Sequence, residues 1–146
     1  MKPKFALLGR FCVKVDEGGT LSLPLEWYEA MGRPMEVYLV SDVNERCLDL
    51  IPKEVFDEYV SSNIDDVEEA AMRERLKQEA RSVKVDDRRR IDVDDDLRAF
   101  AGITDCVAMV GTVRFAKLYN LDTLQSRNEL LSAKLLRMLD AFEDPK

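Results

Sequence analysis

The chain has 146 residues, of which 46% are hydrophobic and 35% charged, so it can bury a core and form one ordinary domain or two small halves. Its net charge of -7 disfavours non-specific binding to nucleic acid, and the lack of histidine excludes histidine triads and histidine metal ligands. The sequence has no apolar run that could span a bilayer and no signal-peptide core, so we expect a cytoplasmic protein without a membrane partner.

The three cysteines predict neither a disulfide framework nor a zinc site. Cys12, Cys47 and Cys106 are scattered without a CxxC spacing, and their odd number excludes complete pairing. A structural zinc ion needs four good ligands, which three dispersed thiols do not supply. We therefore expect buried free thiols, no metal and no other cofactor.

The first predicted elements are two short strands and a short helix. Apolar and polar residues alternate over 11–15 and again over 21–23, as in half-buried strands, and Gly18 and Gly19 between them indicate a turn. A short helix follows and ends at Gly32, where glycine is favoured. Trp27 and Tyr28 on this helix are expected to fill the core or an interface rather than to stack on bases.

The chain then repeats itself. The tetrapeptide VKVD occurs at 13–16 and again at 83–86, and we call the displacement that carries position 13 to position 83 the repeat shift. The repeat shift also places VKVDEGGTLSLPLEWYEAMG on VKVDDRRRIDVDDDLRAFAG and the apolar stretch MEVYLV on DCVAMV. A chance tetrapeptide would not bring a matched apolar pattern with it, so the chain is predicted to contain two related strand–helix–hairpin units.

Two further helices are predicted. One connects the units, and the other forms the C-terminal tail, where Leu124, Leu131 and Met138 recur at intervals of seven with Leu135 and Phe142 on the same face. This apolar face either packs on its own domain or forms a contact between subunits.

The basic residues are unevenly placed. Residues 1–70 hold 7 basic and 15 acidic side chains, whereas the short stretch 71–91 holds 8 basic and 4 acidic ones. The turn after the first VKVD reads EGGT and offers no cation, while the turn after the second reads DRRR and offers three. Arginine suits phosphate geometry, so the second turn is a candidate contact for DNA. Alternatively, Arg90 pairs with Asp86 across the turn and the other arginines are solvated.

The order and spacing of these motifs resemble the MraZ family, whose chains contain two AbrB-like (SpoVT/AbrB) half-units. The family pattern is an Asp, three residues, an Arg, and then Leu-Ser-x-Pro; the second unit keeps its start as Asp86 and Arg90, but Thr20 replaces the first Arg. The stretch GITDCVAMVGTVRFAKLYN also looks like the second half of the family. The matching residues of the first unit are Asp16, Gly19, Leu21, Ser22 and Pro24.

The resemblance implies a mixed β/α, mainly β fold, namely a double-split β-barrel of two pseudo-symmetric half-units with added helices. We expect a first half-unit over 5–60, a connecting helix over 61–80, a second half-unit over 81–120 and a C-terminal helix over 121–146. It also implies a ring of identical chains, associated with the nucleoid, that binds repeated DNA boxes ahead of the division and cell-wall gene cluster. A small-molecule substrate is not expected.

The candidate DNA-binding residues lie in and beside the two turns. The replacement of arginine by Thr20 weakens the first of them as a DNA contact. Asp16 and Asp86 are expected to form the turns or orient arginine rather than to act as catalytic carboxylates. The nine candidates are Arg10, Lys14, Asp16, Arg81, Lys84, Asp86, Arg88, Arg89 and Arg90.

Three classes of function compete for this sequence. The first is a ring-shaped transcriptional regulator, and the second is an oligomeric scaffold that kept the fold but lost DNA binding. An enzyme is disfavoured, because the sequence has neither a phosphate-cradling loop nor a nucleophile motif. The acids at Asp92 and 94–96 could suggest a cation site. Acidic residues also favour the start of a helix, and this explains most of the run.

Overall fold

The computed structural model describes residues 6–62 and 65–122, together with positions 125, 137 and 138. Strands and helices alternate in these residues, which confirms the predicted mixed β/α class and agrees with an AbrB-like fold. In chain order the elements are β1 (Arg10–Lys14), β2 (Thr20–Ser22), α1 (Leu25–Ala30), β3 (Glu36–Asp42), β4 (Cys47–Pro52), α2 (Lys53–Ser61), α3 (Val67–Glu79), β5 (Arg81–Lys84), β6 (Arg90–Asp92), α4 (Asp95–Ala101), β7 (Cys106–Gly111) and β8 (Ala116–Tyr119).

The larger sheet is antiparallel, and its strand order is β1-β7-β8-β4-β3-β5. Strand β1 pairs with β7 so that Val13 lies opposite Val107, and β5 pairs with β3 so that Val83 lies opposite Val37. The repeat shift matches Val13 with Val83 and Val37 with Val107, so the two pairs are equivalent. Each strand that carries a VKVD sequence therefore pairs with the hairpin that follows the other VKVD.

The smaller sheet pairs β2 with β6 and places Leu21 opposite Ile91, two positions that the repeat shift also matches. Two backbone hydrogen bonds flank this pair: the Leu23 N–H donates to the Arg89 carbonyl at 2.7 Å, and the Val93 N–H donates to the Gly19 carbonyl at 2.9 Å. Under the repeat shift Leu23 matches Val93 and Gly19 matches Arg89, so the two bonds occupy equivalent places in the two units. They support the proposed division into two half-units related by a twofold, whose exact bounds stay a prediction.

The main core lies between the larger sheet, the β2–β6 pair and helices α1 and α4. Leu21 and Ile91 are 2% and 1% exposed, and Trp27 is 1% exposed, which confirms its predicted place in the core. The Trp27 indole N–H donates to the Leu8 carbonyl at 2.8 Å, so its one polar atom is satisfied inside the apolar surroundings.

Helices α2 and α3 follow β4. Helix α3 begins after Asp66, whose side chain accepts a hydrogen bond from the Glu68 N–H as an N-cap. It covers most of the predicted connecting helix. The predicted C-terminal helix falls largely outside the described residues. Among the described helices, none is long and apolar enough to cross a membrane.

The cysteines correct one expectation. All three thiols are free, but only Cys47 is buried, whereas Cys12 is exposed and Cys106 is partly exposed. Cys12 lies on the edge strand β1, where it shares the exposed face of the strand with Arg10 and Lys14. The prediction of buried thiols is therefore wrong for Cys12.

Candidate nucleic-acid interface

Each VKVD sequence ends in a tight turn that is organised by its aspartate. One carboxylate oxygen of Asp16 accepts from the N–H groups of Gly18 and Thr20, both at 2.9 Å. Asp86 does the same for Arg88 at 2.9 Å and Arg90 at 2.8 Å. These bonds stabilise the turns locally.

The antiparallel β2–β6 pairing brings the two turns close together, one at each end of the short two-stranded sheet. Thr20 lies opposite Asp92, and Ser22 lies opposite Arg90. The result is an open depression of about 770 Å³, and a smaller adjoining depression adds Lys14 and Asp105 to the same surface. The larger depression is lined by Asp16, Thr20, Met35, Glu36, Lys84, Val85, Asp86, Arg90 and Asp92. Five of the nine predicted residues thus meet here: Lys14, Asp16, Lys84, Asp86 and Arg90.

Arg90 is paired but accessible. Its Nε donates to Oδ2 of Asp86 at 2.8 Å, and its side chain remains 47% exposed. The hydrogen bonds from the Arg90 backbone N–H and, in smaller measure, from its side chain lower the pKa of Asp86, so that carboxylate stays ionised beside the guanidinium. An exposed pair of this kind contributes little to stability, and it leaves an oriented cation at the surface.

The other two arginines of the turn have different roles. Arg88 is exposed, and its backbone N–H takes part in the turn. Arg89 adopts a positive φ of 65° and turns back across the two units, where its Nε donates to the Leu23 carbonyl at 3.0 Å in a partly buried position. Arg88 and Arg90 are therefore accessible at the surface, whereas Arg89 fixes the turn against β2.

The first turn lacks the corresponding cation. Thr20 occupies the position that the repeat shift matches with Arg90, and its hydroxyl donates to a carboxylate oxygen of Asp92. Asp92 is exposed and adds a negative charge to this side of the depression. In the sequence, Asp92 stands out only as part of an acidic run. The repeat shift matches position 92 with position 22, and this match is the signal that could have placed Asp92 at the depression.

Two predicted residues lie elsewhere. Arg81 binds Asp94 at 2.9 Å and Asp96 at 2.5 Å, and these bonds, mainly the one to Asp96, raise its pKa further. Its charge is therefore neutralised by the acids at the start of α4. Arg10 begins β1, at the opposite end of that strand from Lys14. The structure does not bring Arg10 or Arg81 to the depression.

A separate charged cluster lies on the larger sheet. The Lys117 ammonium contacts Asp42 and Asp49 at 2.9 Å and Glu45 at 3.0 Å, and its side chain is only 15% exposed. Within the described residues, Asp42, Cys47 and Asp49 are the one group close enough to share a metal ion. Lys117 already neutralises those carboxylates, and the acidic run at 94–96 instead binds Arg81 and begins α4.

The comparisons with known proteins agree with the repeated architecture. No family model matches the chain. The transcriptional regulator MraZ of Thermomicrobium roseum is 33% identical over 131 residues, which cover 87% of this chain and 90% of that protein. The transcriptional regulator MraZ of Bifidobacterium longum is 31% identical over 127 residues, which cover 82% of this chain and 81% of that protein. With this identity over nearly its whole length, and with two Asp-led turns joined in the order the family pattern requires, the chain belongs to the MraZ family.

Proposed function

We propose that this chain is a transcriptional regulator that binds DNA mainly through its second turn, over residues 86–90, together with Lys84. The observation that carries the proposal is the joint placement of Lys84 and Arg90 at one open depression, with exposed Arg88 beside them. The related proteins are named transcriptional regulators. Phosphate contacts by such cations supply much of the affinity of DNA-binding proteins.

DNA binding through this surface is asymmetric within one chain. The second turn supplies Arg88 and Arg90, whereas the first supplies Thr20 hydrogen-bonded to an acid. A single chain therefore offers few phosphate contacts. Several copies on consecutive DNA boxes would add their contacts by avidity, so weak single contacts suffice.

Self-association into a ring is part of the proposal. Strands β1 and β5 are the edges of the larger sheet, and unpaired strand edges favour partners. A chain with two different contact surfaces can close head to tail into a ring. The target that the resemblance implies is a set of repeated boxes ahead of the division and cell-wall gene cluster, which would place the protein in the cytoplasm at the nucleoid.

The relatives' role as regulators agrees with the expectation that the protein is not an enzyme. A scaffold of the same fold without DNA binding is the second candidate. The specific observation in its favour is that Thr20 stands in place of an arginine and donates to Asp92. The first half of the surface therefore presents an acid where the second presents a cation.

The test compares binding to DNA from the protein's own upstream region with binding to an unrelated fragment at fixed salt. The Arg88→Ala/Arg90→Ala variant is expected to lose at least tenfold in affinity for the upstream fragment. The control is Arg33→Ala/Arg75→Ala, which removes the same charge from side chains that are 69% and 68% exposed and lie outside the depression. Equal affinities of the two variants would overturn the proposed contact, and no binding by the wild type would favour the scaffold.

A further inference from the structure

Helices α2 and α3 and the larger sheet enclose an apolar groove of about 430 Å³ that lies apart from the proposed DNA surface. Its walls include Tyr59 and Met72, which remain 37% and 65% exposed. The groove is lined by Asp49, Ile51, Val55, Phe56, Tyr59, Met72, Leu76 and Phe115. Exposed apolar side chains gathered in one groove favour a partner that removes them from water.

The two helices that supply most of the groove lining are acidic, and this charge restricts that partner. Residues 53–79, which contain both helices, hold 4 basic and 9 acidic side chains. Several of the acids are exposed, including Glu54 and Glu69. A segment that fits this groove therefore has an apolar stripe and a positive charge.

One part of the C-terminal segment of the same chain, residues 123–138, has both properties. Residues 123–138 hold 3 basic side chains and 1 acidic one, and their leucines are spaced as on one face of a helix. The described positions of this segment are Gln125, Arg137 and Met138; all three are exposed, Met138 by 68%. In the single chain, both the groove residue Met72 and the tail residue Met138 thus stay in water.

We propose that the groove binds the C-terminal segment of a second copy of the chain. The inference rests on the self-association that forms part of the proposed function. Because the groove and the tail are different surfaces, each copy uses its groove for one neighbour and its tail for the other. Such head-to-tail contacts close into a ring when the rotation allows it.

The experiment uses full-length variants and measures mass by light scattering. Met72→Glu changes the groove, and Met138→Glu changes the tail; each puts a carboxylate into the proposed apolar contact. Each variant alone is expected to associate at least tenfold more weakly and to approach the monomer mass of 16.8 kDa. Val67→Glu is the matched control, because Val67 is 81% exposed on the same helix as Met72 but does not line the groove.

Mixing the two variants tests the contact between copies. The groove variant keeps an intact tail and the tail variant keeps an intact groove, so the mixture is expected to form dimers with one restored contact. No dimer on mixing would show that the tail docks on its own chain and would overturn the proposal. An unchanged mass for Met72→Glu, or an equal loss for Val67→Glu, would also overturn it. Tyr59→Glu provides a second groove variant should Met72→Glu lose its helical circular dichroism.

The outcome is separable from that of the proposed function. A wild-type monomer at all concentrations would contradict the proposed ring as well as the groove contact. A wild-type oligomer whose mass is insensitive to Met72→Glu would contradict the groove contact alone and leave DNA binding by the second turn in place.

Discussion

Arg90 donates through its Nε to Oδ2 of Asp86 at 2.8 Å, whereas Thr20, the residue that matches it in the other half of the chain, uses its hydroxyl for Asp92. That hydroxyl donates to Asp92 across the β2–β6 pair. The two halves therefore share a backbone but differ in the charge that they present at one surface.

Restoring the missing cation should strengthen DNA binding. In Thr20→Arg, the new guanidinium can pair with Asp16 as Arg90 pairs with Asp86, and it should add a phosphate contact. We expect tighter binding and a salt dependence steeper by about one unit per added contact. Thr20→Gln, which has length but no charge, should leave the salt slope unchanged; the same gain for Gln and Arg would contradict the prediction.

Replacing Asp92 tests how much this carboxylate contributes to the difference in charge between the two turns. Asp92→Ser gives β6 the residue that β2 carries at Ser22, and it removes a negative charge from the depression. We expect affinity for DNA to rise in this variant, and more so when it is combined with Thr20→Arg. The control Asp105→Ser removes a charge at the rim of the adjoining depression, and it should have a smaller effect. An equal rise in both variants would indicate a general effect of net charge and contradict the prediction.

The two residues that pair at the centre of the core should contribute similar amounts to the free energy of unfolding. Leu21→Ala and Ile91→Ala each create a cavity at fully buried, directly paired positions, so each is expected to lower the free energy of unfolding by about 2–5 kcal/mol. Leu25→Ala, at a side chain that is 54% exposed, should cost far less. Urea unfolding measures all three, and a small loss for either buried variant would contradict the packing described.

Much of this core could be predicted from the sequence. The repeat shift matches Leu21 with Ile91, the two residues at the middle of the smaller sheet, and the alternation of apolar residues predicts that Leu21 is buried. The Asp-led turns were also predicted, because they depend only on neighbouring residues. The features that can be predicted are therefore those that depend on local patterns and on the internal repeat.

The partners of the charged side chains could not be predicted. Arg81 is expected at the DNA surface from the sequence, but it binds acids 13 and 15 residues later in the chain, and Arg89 reaches back to Leu23. Lys117 binds Asp42, which lies 75 residues earlier. Such contacts depend on which strands and helices become neighbours, and no short spacing encodes them.

The Lys117 cluster should be important for stability. Lys117→Met leaves Asp42, Glu45 and Asp49 without their shared ammonium, and removing one partner from a buried ion pair costs about 3 kcal/mol. Lys53→Met is the control, because the Lys53–Asp57 pair is half exposed, so its loss should cost far less than the loss of Lys117. Similar losses in both variants would contradict this account.

The loss in Lys117→Met should depend on pH. Burial already raises the pKa of Asp49, while the hydrogen bond from Lys117 opposes that rise. Without the ammonium, the folded pKa of Asp49 rises further above its unfolded value, so the ionised form of this carboxylate destabilises the fold. The deficit should therefore be largest at neutral pH and shrink as pH falls through those values; a constant deficit would contradict the mechanism.

The central claim is that the second turn contacts DNA more closely than the first, and a crosslinking measurement tests it most directly. Glu17 and Asp87 are exposed, matching positions of the two turns. A photoreactive side chain is placed at one position or the other, and each protein is irradiated while bound to DNA from its own upstream region. The account predicts a clearly higher crosslinking yield from position 87 than from position 17. Equal yields from both positions, or no crosslink from 87 while DNA remains bound, would contradict it.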